Sequence, residues 1–150
     1  MEKYYLDSSA VVKRYVTEPG SQAVDALYAK AETGDAGLFL SLWNVGEVLG
    51  VFSERRRGKR LTEEEYERSV RTFAEETLKL HRLRAITITS VTTQLLVETW
   101  PLIAADDLYE ADALQIVSCA QAGATLVSAD TSLLRVATKH RVDVLDIRGL

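Results

Sequence analysis

The sequence predicts an α/β domain with a mostly parallel central sheet. Two observations carry that prediction. Short apolar runs of strand length alternate with longer amphipathic stretches over the 150 residues, and helix caps or stops punctuate most junctions between them. At this length the simplest organisation is one domain, residues 1–150, with a core large enough to need no covalent staples.

The elements follow in order. Residues 3–7 form a short buried strand, and Val11–Val16 a short helix stopped near Pro19-Gly20. Ser21 caps a helix that carries Val24, Leu27 and Tyr28 on one side. Gly34–Gly37 is a turn and Leu38–Leu40 a second strand. Ser41 caps a longer helix with apolar Val45, Val48, Leu49 and Phe52, ended by Gly58. Thr62 followed by Glu65 is a capping box, so the next helix runs to about Leu80. Ala85–Thr89 is a strand. Val91–Trp100 is a helix stopped by Pro101. A patterned helix spans Asp107–Ala122, with Asp107 as its N-cap and Gly123 as its end signal. Thr125–Ser128 is a strand, Thr131–His140 a helix and Val142–Leu145 the last strand.

Bulk properties narrow the function. No apolar run approaches the roughly 18 residues of a membrane span, so no membrane role is expected. Met1-Glu2-Lys3 leads straight into a strand, without the basic and cleavable regions of a secretory leader. One cysteine forbids an internal disulfide and suits a reducing cytoplasm. The net charge of −4 is a weak global footprint for a nucleic-acid binder. Four acids, however, stand apart from the rest. Setting them aside leaves 18 acids against 18 bases, so the overall sign does not exclude a phosphate-bearing substrate.

Those four are Asp7, Glu47, Asp112 and Asp130. Each lies in an apolar or small-residue stretch, where an isolated carboxylate is costly to desolvate. Asp7 and Asp130 fall where strands end, and Glu47 and Asp112 in helices that start over the same sheet edge. Ligand groups gather at that edge in parallel sheets. One shared site for a hard divalent cation with oxygen ligands explains all four.

The segments Tyr5-Leu6-Asp7-Ser8-Ser9-Ala10-Val11-Val12-Lys13, Glu47 in its helix, Ala111-Asp112-Ala113-Leu114-Gln115-Ile116 and Leu126-Val127-Ser128-Ala129-Asp130 resemble the PIN domain family, with the acids in the family's order. At this size the chain looks most like the VapC-type toxins of toxin–antitoxin pairs. The resemblance covers nearly the whole chain. It implies a PIN-like three-layer α/β/α fold and an endoribonuclease dependent on Mg²⁺ or Mn²⁺ that leaves a 5′-phosphate and a 3′-hydroxyl. It also implies a cytoplasmic homodimer silenced by a small antitoxin protein. Asp7 and Asp130 are the expected direct metal ligands. Asp112 shares the metal or binds it through water, and Glu47 completes the cluster or orients the attacking water. Ser8, Asn44, Arg55, Arg56 and Arg57 are candidates for RNA contacts. Each also has a plainer reading: a helix cap for Ser8, a buried hydrogen bond for Asn44 and a solvated helix end for the arginines. Many relatives carry His where Gln115 stands, which leaves a base role there open. Gly46 and Gly50 suit close helix packing, and Trp43 and Trp100 a core or a dimer interface. Cys119 reads as a core thiol.

Two other readings stay in view. A catalytically idle PIN-type module that binds RNA or protein would not need all four acids. An enzyme working through an aspartyl phosphate would need a second Asp two residues after Asp7, or a Lys late in a strand, and neither is present.

Overall fold

The computed structural model describes all residues, 1–150. Five strands, β1 (Glu2–Leu6), β2 (Ala36–Ser41), β3 (Ile86–Thr89), β4 (Thr125–Ser128) and β5 (Val144–Asp146), pair in the order β3-β2-β1-β4-β5. All pairings are parallel. Seven helices cover the sheet: α1 (Ser8–Tyr15), α2 (Ser21–Thr33), α3 (Leu42–Arg57), α4 (Glu63–Arg82), α5 (Thr93–Asp106), α6 (Glu110–Ala122) and α7 (Thr131–Lys139).

Alternation along the strands explains the layering. Leu6, Leu38, Leu40 and Val127 face one apolar core, filled by Val11, Val24, Tyr28, Phe52 and Phe73 from the first four helices. The neighbouring Tyr5 and Leu126 face the other side, against Ile116, Cys119, Leu133 and Val136 from α6 and α7. Helices on both faces of one parallel sheet make the expected α/β/α arrangement. In the first core the rings of Tyr15, Phe52 and Phe73 meet edge-on, with centroids 5.3–6.4 Å apart.

Several boundaries differ from the sequence reading, each for a local reason. Helix α1 starts at Ser8, three residues before Val11, because Asp7 is its N-cap and accepts a hydrogen bond from the Ala10 N–H. The Asp7 carboxylate therefore fills the capping role considered for Ser8. The expected turn at 34–37 is shorter: Gly34 caps α2 in the left-handed region (φ 83°), and Gly37 already lies in β2. Helix α5 runs through Pro101 to Asp106. Proline forfeits only the bond to the carbonyl of Val97, on an exposed stretch where water can take its place. Asp107 is not the N-cap of α6. It ends α5 in the left-handed region (φ 52°), and Tyr109 precedes α6 without a side-chain cap bond. The capping boxes at Ser41 and Thr62 form, with Asn44 and Glu65 as the answering side chains. Cys119 is buried and bonded to the Ala124 carbonyl, as a core thiol should be.

Trp43 and Trp100 are not core residues, being 44% and 60% exposed. Gly46 and Gly50 do not mediate close packing within the chain, since a Cβ added at either would meet nothing within 4 Å. No helix is long and apolar enough to cross a membrane.

Candidate active site

The order of the strands locates the site. From β1 the chain moves outward to β2 and β3, then crosses back to place β4 on the other side of β1. The crevice between the carboxyl ends of β1 and β4 is thus the topological switch point, where parallel sheets hold ligands. Leu6 is in register with Val127, so the next residues, Asp7 and Ser128, emerge side by side.

Asp7 is 2% exposed. Its Oδ1 accepts from the Ser9 hydroxyl and the Ala10 N–H, both at 2.7 Å, and its Oδ2 accepts from the Ser128 hydroxyl. Burial still dominates and pushes its carboxyl up to about 6. The donors Ser128, Ser9 and Ala10 work against that rise, and the charge of Asp130 adds to it. Ser128 Oγ also accepts the Asp130 N–H at 2.9 Å, so one buried hydroxyl ties both acids to the end of β4. Ser9 Oγ adds a further tie by accepting the Ala129 N–H at 3.0 Å.

Asp130 is exposed and is the N-cap of α7. Its Oδ1 accepts from the N–H groups of Ser132 and Leu133, and its Oδ2 has no hydrogen-bond partner in the chain. Asp112 lies in the first turn of α6, half-buried, and no side-chain or backbone donor reaches its carboxylate. Burial, then the charges of Asp130 and Glu47, holds its carboxyl above the ordinary range. Glu47 is partly buried one turn into α3, and its Oε2 accepts from Asn44 Nδ2 at 3.3 Å.

Asn44 is fully buried and its amide is completely used. Oδ1 accepts from the Ser41 N–H (2.8 Å), the Ser41 hydroxyl (2.9 Å) and the Tyr5 hydroxyl (3.1 Å), while Nδ2 donates to Glu47 and to Gln115 Oε1 (3.0 Å). The buried-hydrogen-bond reading of Asn44 is therefore the structural one. Gln115 is buried and serves as a partner of Asn44. The sequence pointed to Asn44 through its helix face, but Tyr5 and Gln115 as its partners depend on tertiary contacts.

The four acids thus share one sheet edge, coupled through Asp7–Asp130, Asp112–Asp130 and Asp112–Glu47. None of them forms an ion pair with Lys, Arg or His. Nor do any three His, Cys, Asp or Glu side chains close into a ready-made cage for an ion. An all-oxygen, uncompensated set of this kind fits a hard cation that keeps most of its waters and takes only one or two carboxylates directly. Asp106, six residues before Asp112, stands elsewhere, bonded to Lys139 and His140.

The basic run divides. Arg55 pairs with Glu18 at 2.9 Å. Arg56 pairs with Glu63 and stacks 4.1 Å over the Tyr66 ring. Arg57 donates to Ser53. Successive helix residues point about 100° apart, so the three do not form one patch. Ser8 is partly buried with no side-chain hydrogen bond.

Solved structures share this architecture at low sequence identity. FitAcB from Neisseria gonorrhoeae superposes with a TM-score of 0.69 at 16% identity, covering 98% of this chain and 99% of that one. PAE2754 from Pyrobaculum aerophilum gives 0.65 at 18% identity, covering 97% and 90%. VapBC2 from Rickettsia felis, solved with a DNA fragment from its promoter, gives 0.63 at 15%, covering 96% and 98%. No curated protein sequence matches the chain. The PIN domain family model matches residues 4–139, which takes in all four acids and four of the five strands, and the chain therefore belongs to the PIN domain family.

Proposed function

We propose that this chain is a divalent-metal-dependent endoribonuclease and the toxin of a two-component toxin–antitoxin pair. One observation carries the reading: four carboxylates, coupled pair by pair, lie around the switch point of the sheet, and none of them is in an ion pair with a cation of the chain. In this reading Asp7 and Asp130 are the direct ligands, which the hydrogen bonds that fix their carboxylates support, and Asp112 shares the ion directly or through water. Mg²⁺ or Mn²⁺, when bound, supplies charge stabilisation at a phosphodiester and acidifies water. The rest falls to the protein. Ser128 and Ser9 fix the Asp7 carboxylate, the Ser132 and Leu133 N–H groups fix Asp130, and the Asn44 amide aims Glu47. In the same reading Glu47 orients the attacking water, and hydrolysis leaves a 5′-phosphate and a 3′-hydroxyl.

PIN chains are known here from structures named FitAcB and VapBC2, which supports a partner-bound toxin. An exposed apolar stripe on α3, with Leu42, Trp43 and Leu49, supports contact with an antitoxin helix or a second copy of the chain. It borders a cleft of about 510 Å³ that also reaches Glu47 and Ala111. A basic antitoxin side chain entering there would meet the acids.

The test is cleavage of a mixed RNA panel with EDTA, Mg²⁺ or Mn²⁺ by the parent and by Asp7→Asn, Asp112→Asn and Asp130→Asn. The expected result is metal-dependent cleavage by the parent and losses of orders of magnitude in each variant. A folded Asp7→Asn protein that cleaves like the parent would overturn the scheme. Sedimentation tests the homodimer, and co-expression with the product of an adjacent small gene tests the antitoxin.

A further inference from the structure

Beside the acids, against the outer side of α1, lies a cavity of about 360 Å³ lined by Ser8, Ser9, Lys13, Glu18, Val51 and Arg55. Three of these residues form an ion triad. Lys13 Nζ stands 2.9 Å from Glu18 Oε1, and Arg55 Nη1 stands 2.9 Å from Glu18 Oε2. The two cations are recessed, with side chains 11% and 20% exposed. Burial alone would raise the Glu18 carboxyl, but Lys13 and Arg55 outweigh it and hold it below the ordinary range. One carboxylate shared between two cations leaves the triad with a net positive charge.

Other donors turn toward the same space. The Ser8 hydroxyl has no partner in the fold, and the Asp7 cap claims only the Ala10 N–H of the first turn of α1. Ser9 belongs to both places: its hydroxyl holds Asp7 and its side lines the cavity. Along α3, Glu47, Val51 and Arg55 follow one another at four-residue steps, so Arg55 lies about 12 Å from Glu47 along the helix. The cavity is thus a cationic pocket one short reach from an anionic crevice. Its recessed charge suits a compact projecting anion, and the Arg fork suits phosphate oxygens. The acids themselves offer no cation to a phosphate beside the one being cut.

We infer that Lys13 and Arg55, held in place by Glu18 and joined by Ser8, form a subsite for the backbone phosphate next to the scissile one in a single-stranded RNA. The inference rests on the ribonuclease reading and deepens it. It also separates Arg55 from Arg56 and Arg57, whose partners direct them elsewhere. Glu18 is a positioning residue here, and it keeps the two cations from repelling each other.

The alternative is that the triad merely ties α1 to α3. Binding of a labelled short single-stranded RNA to the full chain in EDTA, where nothing is cut, distinguishes the two. Salt is varied between about 50 and 200 mM. Lys13→Met keeps the apolar stem and removes the charge, and Arg55→Gln does likewise. Each is expected to weaken binding about tenfold and to flatten the salt dependence by about 0.7 in log–log slope. Lys13→Arg should bind like the parent, and Arg56→Gln should keep the parent's slope. A scan with single uncharged methylphosphonate linkages needs no variant. It should show one position where the parent loses affinity, and that loss should vanish in Lys13→Met. Parent affinity and slope in both charge-removing variants would overturn the subsite, as would a scan with no distinct position. Failure of the parent to cleave RNA in Mn²⁺ is a separate result. It would sink the ribonuclease reading and leave the binding data to judge the phosphate site.

Discussion

Replacing Asp7 with Asn removes a charge from the deepest point of the crevice while keeping the side chain's shape. At 2% exposure Asp7 gains almost no relief from solvent, and burial pushes its carboxyl to about 6 from the ordinary 3.8. That difference corresponds to about 3 kcal/mol of destabilisation when the group is ionised. The sign follows from proton binding. Between these two values the folded state holds a proton that the unfolded state has lost, so the metal-free fold loses stability as pH rises through that window. The penalty is fully present above about pH 6 and absent below about pH 4. Asn escapes it. Its Oδ1 keeps the bonds from Ser9 and Ala10, but its NH₂ group cannot accept from the Ser128 hydroxyl, a loss of about 1 kcal/mol. The net gain is about 2 kcal/mol. At about 2–4 °C per kcal/mol for a chain of this size, Asp7→Asn should melt roughly 4–8 °C above the parent at about pH 7.5 in EDTA. The advantage should disappear or reverse near pH 4. Melting curves of both proteins across that range make the measurement, and titrating groups remote from Asp7 cancel in the difference. An Asn variant that melts below the parent at neutral pH refutes the reasoning, as does a pH-independent gap.

Other outcomes follow from the same geometry. Mn²⁺ at a hundredfold excess over its dissociation constant should stabilise the parent by about 2.7 kcal/mol, or roughly 5–10 °C. In Asp130→Asn, which keeps a good cap for α7, most of that shift should be lost; an equal shift in both proteins would remove Asp130 from the site. Asp112 receives no hydrogen bond, so Asp112→Asn should leave the metal-free melting temperature equal or higher while abolishing cleavage; a clear drop in melting temperature would mark it as structural. Asn44→Asp replaces the Nδ2 donor to Glu47 and Gln115 with an acceptor, so it should lower both stability, by about 2–4 kcal/mol in urea melts, and the rate of cleavage. Full activity in a folded Asn44→Asp protein would free Glu47 from that support.

Much of the fold was legible because its signals are local. The capping boxes at Ser41 and Thr62 need only neighbouring residues, and both formed. Gly123 ends α6 in the left-handed region (φ 60°) that favours glycine, and Gly58 ends α3 with ordinary backbone angles. The misreadings arose where one residue type serves two purposes. Asp7 carries the signal of a ligand at a strand end, and its further role as N-cap starts α1 three residues before Val11. Asp107 has the composition of an N-cap but closes the preceding helix, and Pro101 lies inside α5, where the carbonyl it leaves unpaired is on an exposed stretch. The candidate acids were visible as carboxylates in apolar company. Their supports were not. Ser128 reaches Asp7 across 121 residues, and Gln115 reaches Asn44 across 71. The pairing of Lys13 and Arg55 on Glu18 needs α1 and α3 side by side, which only the folded sheet provides.

The four acids differ in what the fold asks of them, and that difference has a functional reading. Asp7 and Asp130 each end a strand and start a helix, so their positions are set by backbone bonds that form with the fold itself. Glu47 is aimed by one buried amide, and Asp112 by its place on α6 alone. Rigidity therefore falls from Asp7 and Asp130 through Glu47 to Asp112. On the proposed function, a site ordered this way would offer two fixed carboxylates to a cation and two less constrained ones to water and substrate. It also keeps Asp7 ionised at neutral pH only at a cost to the metal-free fold, which a bound cation would offset. The same charges that weaken the empty crevice would then make the metal's binding and the stability of the loaded protein rise together.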